Sequence, residues 1–549
     1  TLREAINAAN SSGSPVAISF NIPAGDARHF YYKDDGSGSP NGTVTLANVA
    51  TTTAVNDAAL PADKDPDWPH GWWSILPTSV LPTATQTVVI DGYTQTEATT
   101  NTLAASDNAV LRIELDGASA GDLVTGLTLS GDGSILRGFV INRFTNHGLG
   151  LPGSGVTNVT GDFIGTDVSG TLGLSNTGSG VSLPGNSKTI GGSTPALVNL
   201  ISGNGADGIL LVNSNSDLIQ GNFIGTKADG TSALPNSGSG INLTGGSTVF
   251  NTIGGTNAGE ANTIAFNTRD GVRLADAGVG NAIRGNSIFS NGSTASDLGI
   301  DLGGDGITPN DTKDPDSGPN TLQNFPIITS ALMTGSTRTI TGTLNSTVGA
   351  SFTIDFYQNP SCDTSGNGEG KTYLGSMTTA ATDSNGDVSF TFHPSVLTIG
   401  QSVTATATSD VGGNTSEFSA CAAIINGAPG AGDIQFTSAT YTVAENVPGG
   451  MAAITLTRVG GTNGSISATF TTSDGTAQQP GDYTAVNQLV TFGEGVSSMT
   501  VNVPIIDDTR PEANETVNLS LSSTTINTAR GDGLSPQTVD PHAALLTII

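Results

Sequence analysis

The sequence predicts an all-β chain whose first half is a parallel solenoid, and three observations carry that prediction. Gly161-Asp-Phe-Ile-Gly-Thr-Asp-Val-Ser-Gly-Thr171 returns 60 residues later as Gly221-Asn-Phe-Ile-Gly-Thr-Lys-Ala-Asp-Gly-Thr231. The text beyond it recurs too, with Thr189-Ile-Gly-Gly192 becoming Thr252-Ile-Gly-Gly255 at an offset of 63, so the extra residues lie in a loop of a structural repeat. Within each copy an aliphatic residue precedes Asn by three positions, as in Ile201 to Asn204, Ile219 to Asn222, Ile264 to Asn267 and Ile283 to Asn286, which marks coils of about 20 residues. The strands between these marks are short and alternate with period two, as in Gly208-Ile-Leu-Leu-Val212. A strand that short cannot stand alone, whereas stacked coils pair each backbone with neighbours about 4.8 Å away.

The composition agrees. Gly numbers 74 of 549 residues, yet 36% of the chain is hydrophobic and falls in ordered alternation, so the bias is that of many turns rather than of disorder. The length allows about three or four domains. Lys and Arg total 18 against 47 Asp and Glu, a formal net charge of −29, which repels nucleic-acid phosphates and anionic lipid and favours divalent cations. Nucleic acid is therefore excluded as a partner. No apolar run approaches the ~20 residues that span a bilayer. The chain opens at Thr1 without Met or a signal peptide, and reads as an excerpt of something longer. Cys362 and Cys421 fall in one short region without a Cys-x-x-Cys spacing or a His companion; this favours a disulfide over a metal site or nucleophile and points outside the cytoplasm.

From the N-terminus, Thr1 to Asn10 predicts a helix with Leu2, Ala5, Ile6 and Ala9 on one face, Thr1 as N-cap and Glu4 completing a capping box. A solenoid needs its open apolar end covered, and this helix is the expected lid. Residues 16 to 22 read as the first strand. Residues 24 to 84 lose the rhythm and hold all three Trp of the chain, with His70 beside them. Trp68, Trp72 and Trp73 either form an exposed carbohydrate-stacking platform or pack the insertion onto the solenoid, and packing is the favoured reading. The coils resume at Val88 and run to Leu302.

The phrases "GNFIGT", "TIGG" and "DGI-x-L", over residues 85 to 325, and the opening "LREAI" with its later Asn, resemble right-handed parallel β-helix repeat proteins of bacterial surfaces. The resemblance implies a core of inward aliphatics, Ile209, Leu211, Ile219, Phe223 and Ile241 among them, with Asn residues stacked in ladders at the turns. As residues alone, these Asn are turn formers without a chemical role. About 11 coils are expected, about 4.8 Å apart.

After the last coil comes a Gly/Pro loop holding Asp301, Asp305, Asp311, Asp314 and Asp316. Carboxylates on irregular turns suit Ca²⁺, although the spacing is not that of an EF-hand; the alternative is a solvated exit loop without metal. Residues 326 to 425 then show longer alternating strands, the pattern of a two-sheet sandwich. The phrases "GEG-x-x-YLGS" and "TATATSDVGGNTSEFS" resemble an immunoglobulin-like module that follows such β-helices, and in it Cys362 would meet Cys421. A linker over 426 to 432 leads to a last region whose order of phrases, from "YTVAEN" through "TSDGTA" and "GDYT" to "PIIDDTRPEANE", resembles a Calx-β domain at 433 to 549. The resemblance maps calcium-facing positions onto Glu445, Asp474, Asp507, Asp508, Glu512 and Glu515, with a backbone carbonyl near Arg510. The family completes its site with acidic residues after the final strand, and this sequence ends at Ile549 within that strand.

Catalytic signals are thin. Glycoside hydrolysis needs paired carboxylates about 5 to 9 Å apart, and no pair of acids recurs at one-coil spacing. Arg137, Arg143 and His147 near Asp132 and Asp162, and Arg269, Asp270, Arg273, Asp276 and Arg284, read as solvated turn residues. No nucleophile elbow, zinc-protease motif or phosphate loop occurs. The expectation is a non-catalytic, extracellular or cell-surface structural and adhesive protein, calcium-stiffened, with neighbouring modules of a longer chain, self-association through the strand at Ala543 to Ile549, or a polysaccharide or cell-surface ligand as partners. The alternatives are a polysaccharide lyase or glycoside hydrolase on the β-helix, and a carbohydrate-binding protein.

Overall fold

Alternation of apolar residues fixes which side of each short strand faces inward, and the coils use it in register. In the computed structural model, which describes residues 1–13, 15–37, 44–427, 432–459, 461–508, 513–523 and 542–549, three walls of parallel strands enclose one core. The first wall has eight strands, from Val16–Ser19 to Ala282–Arg284, and stacks Ile18, Ile90, Leu136, Val159, Ile190, Ile219, Ile253 and Ile283 on successive rungs. The second, of seven strands, stacks Leu127, Leu149, Val181, Ile209, Ile241, Val272 and Ile300. The third stacks Leu115, Ile141, Ile164, Ile201, Ile224, Ile264 and Ile288. All these side chains belong to one continuous buried cluster. The eight rungs of the first wall replace the expected 11.

The helix Leu2–Ser12 carries the predicted capping box, ends at Gly13 in the left-handed conformation, and turns Leu2, Ile6 and Ala9 onto that cluster. It covers the lower rim, as expected of a lid.

Two expectations are corrected by the third wall. Phe223 does not face the interior: Ile224 does, and Phe223 lies on the outer side with Val140, Phe163 and Leu200. This wall is thus apolar on both faces and needs a cover. The insertion supplies it, not as a loop but as strands His29–Tyr32, Val49–Thr51 and Gly71–Ile75, the last of which pairs in parallel with Ile113–Asp116 and so extends the wall. Trp68, Trp72 and Trp73 are 9%, 4% and 5% exposed, which removes the carbohydrate platform. Trp68 and Trp72 lie against the outer apolar face, and Trp73 in the solenoid core stacks on His29 at 4.0 Å. The Trp72 indole N–H donates to Glu114 at 3.1 Å and that of Trp73 to the Pro23 carbonyl at 3.3 Å. Trp68 and Trp72 bury here because the outer face of this wall, with Val140, Phe163, Leu200 and Phe223, is apolar and takes large rings.

Polar positions inside the turns are filled by amides, and each amide does two jobs. Asn199, Asn222, Asn262 and Asn286 form one ladder in which each Nδ2 donates to the next Oδ1 at 2.9 Å. The same Nδ2 donates to a carbonyl of the preceding coil, as Asn199 does to Val159. A second ladder joins Asn176, Asn204, Asn236, Asn267 and Asn291. Asn251, Asn281 and Asn320 continue a third. The stacks implied by the resemblance are present, and they are buried structural elements rather than surface turns.

The upper rim is closed by the first sandwich. There Phe352–Asn359 pairs with Thr372–Thr378 and Ser402–Ser409, and Ile340 to Asn345 with Asp387–Phe392, all antiparallel. Its side chains accept the rim's outward N–H groups: Asn414 from Gly280, Thr415 from Ile283, the Tyr357 hydroxyl from Gly285, Glu369 from Ser290 and Asn291, and Glu417 from Leu302. Phe418 lies so close over Gly299 that a Cβ there would meet its ring at 2.9 Å. Arg284 grips the fully buried Asp355 with two 2.8 Å contacts. Cys362 and Cys421 are bonded, with Cα atoms 5.9 Å apart. Thr1–Ala331 and Arg338–Ile424 accordingly form one compact unit, and Leu332–Thr337 with Ile425–Ile549 another.

In the second unit, a three-stranded sheet (Asp433–Phe436, Met451–Val459, Ser498–Pro504) and a five-stranded sheet share a core built on Phe436, Phe470, Tyr483 and Phe492. Ala543–Ile548 pairs in parallel with Thr440–Val443 and antiparallel with Glu515–Ser523. That corrects the expected free edge: the strand is interior to its sheet, so pairing through it with another chain is closed.

Two rungs hold an acid where the others hold an amide: Asp217, which stands below Asn251 and whose second oxygen takes the Ser214 hydroxyl, and Asp162, whose second oxygen takes nothing among the described residues. Asp162 stands below Asn199, accepts the Phe139 N–H at 2.8 Å, and leaves its other oxygen buried without a partner where its neighbours present an NH₂. Burial holds this carboxyl well above the usual range. Asp162→Asn should therefore restore two donations and stabilise the chain at pH 7 by about 1–3 kcal/mol. With the folded-state pKa raised, the wild-type penalty is absent below the unfolded value near 4 and grows as pH rises. Melting temperatures of both proteins at pH 4 and pH 7 check this: the gain is expected at pH 7 only.

Candidate metal centre

Five Asp of the exit loop do not form one group. Asp301, on the last strand of the second wall, is 1% exposed and accepts the N–H groups of Gly304 and Gly306 at 3.0 and 3.3 Å. Burial, then the charge of Asp270, pushes its carboxyl up to about 7. Asp305 is exposed and stands outside the cluster. Asp311, Asp314 and Asp316 do converge, with one carboxylate oxygen from each within 4.8 Å of the others; among the described residues this is the one such group of three or more His, Cys, Asp or Glu.

The loop folds this way because its ends are tied. Asn324 accepts the Asp311 N–H at 3.1 Å and donates its own amide to the Asp311 carbonyl at 2.7 Å, while Asn310 and Phe325 exchange a second pair of bonds. Asp314 is 9% exposed; one of its oxygens accepts from Gln323 Nε2 at 2.6 Å, Ser346 Oγ at 2.5 Å and the Asn324 N–H at 3.2 Å. Burial raises its pKa, and the charges of Asp311 and Asp316 raise it further.

Glu369 and Glu417, which sequence reasoning passed over, are the acids that close the rim. Glu417 takes the Leu302 and Thr308 N–H groups on separate oxygens, each at 3.0 Å. Burial pushes it up to about 8 and Glu369 up to about 7, against the hydrogen bonds that favour their charged forms. Only the rim gives these acids a role, and the rim is not written in the local sequence around them.

At the acidic end of the second unit the expected calcium ligands are spread out. Asp474 is turned to Tyr483, whose hydroxyl donates to it at 2.7 Å, and to the Gln479 N–H at 3.3 Å. Glu445 accepts the Asp508 N–H at 3.5 Å. Asp507 is exposed, and Glu515 begins the strand paired with Ala543–Ile548. Glu512 and Arg510 lie outside the described residues. Calcium takes six to eight oxygens at about 2.3–2.6 Å; the described carboxylates of this end do not by themselves fit such a cage.

Several charged residues of the coils are engaged in pairs. Arg137 contacts Asp91 at 2.6 Å, and Arg143 bridges Glu114 at 3.3 Å and Asp116 at 3.1 Å. Glu114 and Asp116 line a cavity of about 240 Å³ under the insertion, with Arg28, Arg143 and Trp72. Alternation puts these two acids on the outer side of one strand, and the guanidinium that clamps them comes from the following coil, a pairing not visible in a linear reading. Glu114 is also bonded to Asn142 and Trp72, so both acids are held as structural counter-ions.

Comparison with known proteins adds one family and partial structural likenesses. Residues 430–549 match the Calx-beta domain. No curated protein matches the chain. Among solved structures, the apo form of the Calx CBD1 domain is 26% identical over 21% of this chain and 96% of its own, with a TM-score of 0.19. The calcium binding domain CBD12 of CALX1.1 is 26% identical over 21% of this chain and 44% of its own, with a TM-score of 0.18. A Ca²⁺-stabilized adhesin with which an Antarctic bacterium binds ice is 17% identical over 41% of this chain and 48% of its own, with a TM-score of 0.16.

The raised pKa of Glu417 gives a signed expectation. A carboxyl raised on folding leaves stability intact below its unfolded value near 4.5 and removes it as pH rises through about 8. Between pH 5 and pH 9 the stability of Glu417→Gln should therefore gain on that of the wild type by about 3–4 kcal/mol. Thermal melts of both proteins across that range check it, and parallel curves would remove Glu417 as a titrating member of the rim.

Proposed function

We propose that the chain is a non-catalytic structural and adhesive protein of the cell exterior. In this reading a β-helix over 1–325, an immunoglobulin-like sandwich over 326–425, a linker over 426–432 and a Calx-β module over 433–549 follow one another as spacer and presenting modules, with a polysaccharide or another cell-surface molecule as the ligand. The observation that carries it is how the solenoid spends its buried polar groups. The Asn ladders and the Arg143 clamp on Glu114 and Asp116 all join one coil to the next, and none of them is free to serve as an acid and base pair. The Cys362–Cys421 bond supports an oxidising exterior.

Calcium enters this reading through the Calx-beta match rather than through the geometry of the described carboxylates. Calorimetric titration of the full chain with CaCl₂ tests it. Saturable binding is expected, with a raised melting temperature, and that signal should fall by about one site in Asp507→Ala/Asp508→Ala. An identical isotherm in the double variant would take calcium away from the C-terminal module. In parallel, incubation with acidic polysaccharides should release neither reducing ends nor unsaturated products; either product would overturn the non-catalytic reading.

A further inference from the structure

We infer that Asp311, Asp314 and Asp316 form a calcium site of their own, at the seam where the loop leaving the last coil meets the first hairpin of the sandwich. This goes beyond the spacer role and does not rest on the calcium chemistry of the C-terminal module.

Three observations converge on it. The three carboxylates offer oxygens within 4.8 Å of one another, and ligands on opposite sides of a calcium ion stand about 4.6–5.2 Å apart. Asp314 Oδ1 and Asp311 Oδ1 are buried and have no hydrogen-bond partner among the described residues. The second oxygen of Asp314 is used by Gln323, Asn324 and Ser346, so these three donors fix the carboxylate and leave Oδ1 without a donor among the described residues. Among the described residues no Lys, Arg or His forms an ion pair with any of the three. A carboxylate with one oxygen shut away from water and from donors, in a cluster with two further carboxylates, has a cation as its natural complement.

The donor set selects the ion. All the candidate side-chain ligands are carboxylates and none is His or Cys, which favours a hard cation over zinc or copper. An irregular turn without octahedral regularity suits calcium better than magnesium, with water and carbonyl oxygens completing the shell. Asp314 is bonded at once to the exit loop, through Gln323 and Asn324, and to the sandwich, through Ser346. Occupation would therefore fasten the closing module to the last coil.

The test uses the full chain carrying Asp507→Ala/Asp508→Ala, stripped with chelator and titrated with CaCl₂ by calorimetry. One equivalent is expected, in the range of about 10⁻⁴–10⁻³ M seen for extracellular modules. Adding Asp314→Asn or Asp316→Asn should weaken it at least about tenfold. Asp314→Asn disturbs bonds that also hold the loop, whereas among the described residues no hydrogen bond of the Asp316 carboxylate ties the loop down, so the Asp316 variant, with an unchanged melt in chelator, decides the matter. Calcium binding that vanishes in the Asp507/Asp508 background, or that survives unchanged in Asp316→Asn, overturns this proposal, the first while leaving the C-terminal site standing.

Discussion

A parallel coil satisfies its backbone only through the coils above and below it, so the two rims of the stack are where the structure is decided. At the lower rim the cost is met by a helix that brings its own hydrogen bonds and only needs an apolar face. At the upper rim the exposed N–H groups of Gly280, Ile283, Gly285, Ser290, Asn291 and Leu302 all require acceptors, and a separate folded module supplies them. Leaving such groups buried and unpaired would cost about 1–3 kcal/mol each. The sandwich thus behaves as part of the solenoid's own fold, which is why the two fall into one compact unit.

Within the stack, amides do what charges cannot. An Asn presents donor and acceptor on one side chain, so identical residues on successive coils satisfy each other without accumulating charge. An Asp at the same place presents acceptors alone. The contrast between Asn199 and Asp162 shows that the ladder is a chemical pattern and not merely a turn preference.

Much of this was legible in the sequence, and the limits have physical causes. The repeat gave the coils, the 2, 5, 6, 9 spacing gave the lid with its capping box, and the β-helix resemblance implied Ile209, Leu211, Ile219 and Ile241 as core. Phe223 failed because both faces of the third wall are apolar, and periodicity cannot choose between Phe223 and Ile224. For the Trp cluster the favoured reading, packing of the insertion, is the one the structure shows, but the face it covers is assembled from several coils and is not visible in the local sequence. Of the five exit-loop acids, composition marked all and the folded turn gathered three. Glu369 and Glu417 carried no local signal, because their partners lie 78 to 115 residues away in the chain. Ala543–Ile548 reads as an edge in the sequence because the strand that flanks it, Thr440–Val443, is distant along the chain.

The bond between Cys362 and Cys421 encloses most of the closing contacts: Glu369, Asn414, Thr415, Glu417 and Phe418 all lie on the segment between the two cysteines. Tension entering through the chain on either side passes from sulfur to sulfur and bypasses that segment. A pull on the protein can therefore lengthen what lies outside the covalent ring, while the plug over the last coil carries none of the load along its own backbone.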